Sequence, residues 1–191
     1  MTLADIMAAT GAMAWPPLAH TAVAQGDVFT AGFLHPLRGL DHVLVMVTVG
    51  VWSVLVGGRA LWVWPAAFVA TMLAGFVAAT AGLQLPWVAT AISASIVVLG
   101  LLVALAVRTS VWAGAAVIGL FAFFHGHAHG TEVTSASLLG FGAGFALSTA
   151  ALHAAGIAVG MFADGSNGKL AVRALGALTL VGGAACIGGL A

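Results

Sequence analysis

The sequence predicts an all-α membrane protein, a bundle of six transmembrane helices with N-terminus and C-terminus outside, and three observations carry that prediction. Hydrophobic residues make up 62% of the 191, with a mean hydropathy of +1.18, far above the apolar share of a water-soluble domain. Six apolar runs fall at roughly 32–57, 61–82, 87–107, 111–130, 134–163 and 169–190, each at least as long as the ~20 residues that cross a ~30 Å hydrocarbon core. The breaks between them, "GGRA", "LQLP", "RTS", "GTEVTS" and "ADGSNGK", are turn-forming or charged clusters of the kind that end helices. Finally, the cations are one-sided. Arg59, Arg108, Lys169 and Arg173 all fall at one face of the six-span arrangement and the opposite loops carry none, which marks that face as cytoplasmic.

Two segments follow from this pattern, residues 1–30 as a signal-like or interfacial N-terminal segment and residues 31–191 as the six-span domain. The apolar stretch "IMAATGAMAWPPLA" resembles a secretory signal, but Asp5 stands where Lys or Arg is expected. Ala22–Ala24 has the small-x-small form of a cleavage site, so removal before Gln25 and retention as an interfacial segment are both open, and with them any role for His20.

The first run opens with "HPLRGLDH". On a regular helix His35 and His42, seven apart, share a face, with His42 ~10 Å deeper. Asp41 is turned aside by roughly 120°, suited to orienting a histidine or to pairing with Arg38. Trp52, Trp62, Trp64 and Trp112 are expected as interfacial anchors near the cytoplasmic boundary and Trp87 near the outer one, while Met46 and Met72 are expected to pack. The fourth run ends in "FHGHAHGTE", where His125, His129 and Glu132 occupy positions i, i+4 and i+7 of one helical face. His127 points the other way, toward a peripheral or lipid-headgroup position. Gly126 and Gly130 are expected to loosen this helix end, exposing carbonyls. In the fifth run Gly140 with Gly144, and Gly156 with Gly160, offer faces for close helix approach. His153 is alone there, a structural hydrogen bond or a deeper ligand. Cys186, the single cysteine, excludes an internal disulfide and is expected to pack.

Because the first and fourth runs cross in opposite directions, both histidine clusters reach the outer face. Ionisable groups at membrane depth cost a few kcal/mol each even on lenient scales, so each is a functional candidate facing the bundle interior. Imidazole with carboxylate suits a borderline divalent metal such as Ni²⁺, Co²⁺ or Zn²⁺, and the absence of thiolates argues against a soft-metal site. The candidate ligands are His35, Asp41, His42, His125, His129, Glu132 and His153.

At these residues the chain resembles the HupE/UreJ family of membrane proteins, associated with hydrogenase and urease accessory functions. The family pattern His-Pro-x-x-Gly-x-Asp-His is matched by His35, Pro36, Gly39, Asp41 and His42. Its second pattern, Phe-His-Gly-x-Ala-His-Gly-x-Glu, is matched by Phe124, His125, Gly126, Ala128, His129, Gly130 and Glu132. His153 matches a further family histidine, and the likeness spans residues 31–190. The resemblance implies a secondary permease for Ni²⁺, with Co²⁺ the usual ambiguity, in the bacterial inner membrane, and not an enzyme. On this reading the metal is cargo and no prosthetic group is expected. The expected partners are a divalent metal ion and membrane lipid, with no nucleic acid and with homo-oligomerisation left open. No P-loop or other nucleotide-binding pattern is present to couple transport to ATP. Two alternatives remain, a haem-binding electron-transfer subunit and a metal sensor or storage protein without a through-path.

Overall fold

The structure, a computed structural model, describes residues 25–133, 137–163 and 165–187, so the signal-like stretch through Ala24, including His20, lies outside the described residues. Among those described there are seven helices and no strand: α1 Gln25–Arg38, α2 Leu40–Val56, α3 Ala60–Thr80, α4 Val88–Ala104, α5 Val111–Gly130, α6 Leu138–Phe162 and α7 Gly165–Ile187. Each apolar run has become a helix, because in hydrocarbon a backbone must satisfy its own polar groups. Four helices are long and apolar enough to cross a membrane: α3, α5, α6 and the Gly168–Ala185 part of α7. A fifth crossing follows if α1 and α2 form one bent span. The chain is a multi-pass membrane protein. α4 is apolar but has 17 residues, ~25 Å at the usual helical rise, somewhat short of the core thickness.

The first run is not the regular helix expected. It breaks at Gly39, in extended conformation (φ −102°, ψ 116°), and α1 and α2 meet at 81°. Pro36 in the last turn of α1 lacks an N–H, and α2 starts afresh with Val43 N donating to Gly39 O at 3.1 Å. The helix therefore does not separate His35 and His42 in depth. The bend folds them ring to ring, with centroids 5.9 Å apart. α1 also runs across the boundary expected between residues 30 and 31.

α2 is the centre of the bundle, touching α1, α3, α4, α6 and α7, while α3 pairs with α5 and α4 with α7 along their lengths. The close pairs rest on glycine. A Cβ on Gly75 or Gly126 would overlap the facing backbone of α5 or α3, and the same holds for Gly50 and Gly156 between α2 and α6. Gly144 of the expected glycine faces takes α1, and Gly160 meets Val54 of α2. Gly126 and Gly130 do not loosen α5. The helix continues through Gly130, and both glycines instead let the Met72 and Phe76 carbonyls of α3 approach.

Trp62, Trp87 and Trp112 are exposed, as anchors should be, but Trp52 and Trp64 are not. These two are buried ring on ring at 4.4 Å, their indole N–H groups donating to Val107 O at 2.8 Å and Val111 O at 2.7 Å. They pin the α4–α5 connection, since a buried indole N–H needs an acceptor. Met46 and Met72 are core residues, and Met72 Sδ accepts from Thr149 Oγ1 at 3.7 Å.

Candidate functional site

The break at Gly39 and the end of α5 lie at the bundle end opposite the cations Arg59, Arg108, Lys169 and Arg173, and there three histidines from three helices converge. His35 in the last turn of α1, His42 in the first turn of α2 and His129 near the end of α5 each offer a ring nitrogen, all within 4.8 Å of one another. The His35 and His129 centroids are 4.3 Å apart, and Phe141 and Phe145 of α6 wall the His35 side.

With both rings neutral, the hydrogen bonds set the tautomers. The Asp41 carboxylate accepts from His42 Nδ1 at 2.9 Å, which leaves neutral His42 with its lone pair on Nε2. His129 Nε2 then donates to that lone pair across 2.6 Å. His129 Nδ1 is left facing Glu132 Oε2 at 3.6 Å, beyond hydrogen-bond reach. Of the two partners expected for Asp41, a histidine or Arg38, the structure gives it His42. Glu132 is half exposed at the mouth.

His125 lies one turn further in, its ring 5.7 Å from that of His42. Its Nδ1 donates to Phe121 O at 3.0 Å, and the buried Nε2 has no partner. His153 is not part of the cluster. It sits midway along the bundle on α6, 1% exposed, with neither ring nitrogen hydrogen-bonded, so it is not the structural bond that was one of its two expected readings. Between the two stands Phe68 of α3, its ring 6.0 Å from His125 and 4.9 Å from His153. Ser148 Oγ, five residues before His153 on the same helix, is likewise buried without a partner. A buried polar atom left unpaired costs ~1–3 kcal/mol, so four such atoms on His125, His153 and Ser148 ask for a reason.

His127 is a correction. It faces away from the cluster, but not toward lipid: it is 3% exposed, and its Nε2 donates to Leu83 O at 2.7 Å, tying the α3–α4 connection to α5. An apolar run gives no hint of such a carbonyl. Phe68, Ser148 and Thr149 were not singled out from sequence. For α6 a signal existed, because Phe141, Phe145, Thr149 and His153 are spaced by four and form one stripe. Phe68 had none, as one of nine phenylalanines in the apolar runs.

A nitrogen–metal bond of ~2.0–2.1 Å requires ligand nitrogens roughly 3–3.5 Å apart, so His42 and His129 need part by less than an ångström to hold an ion between them. A porphyrin, by contrast, has no room between rings whose nitrogens touch. The chain matches the family model described as "HupE / UreJ protein" over residues 7–186. It is 40% identical over 191 residues to Protein HupE of Rhizobium leguminosarum bv. viciae, covering 99% of this chain and 100% of that protein. No solved structure matches it.

Proposed function

We propose, from the premise that the chain belongs to the HupE / UreJ family, that it carries a divalent transition metal, Ni²⁺ or Co²⁺, inward across the bacterial inner membrane along its buried histidines. The observation that carries the reading is the convergence of His35, His42 and His129 from three helices to within 4.8 Å. α2 to α7 make six crossings in this reading, α4 among them, and α1 lies at the outer face beside the site. Both ends of the chain are then outside and the cation-rich end is cytoplasmic.

Loading is a proton rearrangement followed by ligation. When the proton of His129 moves from Nε2 to Nδ1, toward Glu132, both His42 and His129 present a bare Nε2 to the ion. Each Nδ1–H then points at a carboxylate, Asp41 or Glu132, the arrangement that orients a metal-binding imidazole and raises its basicity. His35 completes the set. The ion then passes to the free Nε2 of His125, past the Phe68 ring, to His153. Successive weak sites let it leave as readily as it binds. An inside-negative potential supplies about 2.3 kcal/mol per charge per 100 mV, hence about 4.6 kcal/mol for a divalent ion.

Accumulation of radioactive nickel in bacteria deprived of their own nickel uptake tests the function. Cells making the protein should accumulate nickel well above controls, and cells making His129→Ala should not. Equal accumulation by both would reject the histidine path.

A further inference from the structure

At the end of the bundle away from the histidines, a cavity of about 250 Å³ opens between α2, α6, α7 and the α4–α5 connection. Arg108, Lys169 and Arg173 line it, three of the chain's five cations. Its remaining walls are apolar, Val51, Val54, Leu55 and Val172 among them, and no acidic side chain lines it among the described residues. Asp164, the acid nearest in sequence, lies outside those residues and offsets at most one of three charges. The Arg173 Nε–H donates to Ala104 O at 2.8 Å, which fixes that guanidinium at the helix ends while its terminal NH₂ groups remain as donors. All three cations are exposed, and their like charges around one concavity favour an anion among them.

We infer that this cavity binds a phosphate group, that of an anionic phospholipid of the surrounding leaflet. Phosphate matches the chemistry because it accepts several hydrogen bonds at once from guanidinium and ammonium groups. A lipid matches the shape because the cations stand over apolar walls, along which the glycerol and upper acyl chain lie while the phosphate meets the charges. Basic pockets between transmembrane helices on the cytoplasmic side recur as seats for anionic headgroups. The inference stands apart from the transport reading, since it uses no histidine.

The test is native mass spectrometry of the full chain in neutral detergent, titrated with phosphatidylglycerol or phosphatidylcholine. The wild type should hold phosphatidylglycerol on the order of a hundredfold tighter than phosphatidylcholine, given about 1 kcal/mol for each of the three basic side chains near an anionic lipid. Arg108→Gln with Lys169→Gln should cut that preference to about fivefold, the share left by Arg173. Arg59→Gln, in the α2–α3 connection and outside the cavity, should keep it. Inorganic phosphate at millimolar concentration separates the sources: displacement of the lipid makes free phosphate a ligand of the same seat, and its failure to displace assigns the seat to lipid. Should the double variant unfold, the charge-keeping Arg108→Lys with Lys169→Arg must retain the preference. Equal binding of the two lipids by the wild type, or an equal loss from Arg59→Gln, overturns the inference.

Discussion

His42 and His129 meet nitrogen to nitrogen at 2.6 Å, and their separate surroundings decide what each substitution should do. His42→Ala and His129→Ala each remove a ligand and should abolish measurable Ni²⁺ binding in equilibrium titrations. Asp41→Ala leaves three imidazoles in place but frees His42 Nδ1 from its acceptor, and affinity should fall about 10–100-fold. His127→Ala should bind Ni²⁺ as the wild type does yet lose about 1–3 kcal/mol of stability, because Leu83 O is left without its donor. Equal loss of metal from His127→Ala would mean that α5 turns differently in the working protein. The side on which each α5 histidine lies was legible in the sequence, since helical spacing alone separates His127 from His125 and His129. Its burial was not, because that depends on a carbonyl 44 residues away.

The helices themselves were legible as apolar runs, since spanning hydrocarbon leaves a segment little compositional freedom. The bend between α1 and α2 was not: "HPLRGLDH" reads as the polar start of one helix, and only the packing of α1 against α6 shows that it folds over the site. Gly39 is where that bend can be probed. A Cβ there would come within 2.6 Å of Asp41 Oδ1 and 2.7 Å of His42 Nδ1, so Gly39→Ala should pry these two apart. Its nickel affinity should drop as far as that of Asp41→Ala, with an unfolding midpoint close to wild type because two side-chain tips, not backbone, must give way. Unchanged affinity would disconnect the bend from the site. Gly126→Leu meets the Met72 backbone instead and should force α3 from α5 at a cost of about 1–3 kcal/mol. Gly119→Ala on the same helix, whose Cβ would sit 3.3 Å from Thr71 Cγ2, should be far milder. Trp52 and Trp64 mark the limit of sequence at this scale, because a tryptophan near a helix end looks the same whether it meets headgroups or the Val107 and Val111 carbonyls.

Across the whole molecule the charges are polarised, four of five cations at one end and the histidine cluster at the other. That asymmetry was plain in the sequence, and the proposed orientation of the bundle rests on it. With Cys186 replaced by Ala, a cysteine at Gln84 in the α3–α4 connection should react with an impermeant thiol reagent from outside intact cells, and one at Thr109 in the α4–α5 connection should not. The opposite labelling would reverse the uptake side. The proposed interior route was less legible, since Phe68 and His153 come together only through the packing of α3 and α6 on the shared centre. Flux through that route is what separates a permease from a storage or sensing protein that binds the same ion. The direct measurement is nickel uptake by proteoliposomes of the purified chain with the membrane potential set by a potassium gradient and valinomycin. Uptake should far exceed one ion per protein, rise with an inside-negative potential and collapse in His153→Ala, although that variant still binds nickel at the outer histidines. Uptake that saturates near one ion per protein and ignores the potential would contradict transport along the histidine column.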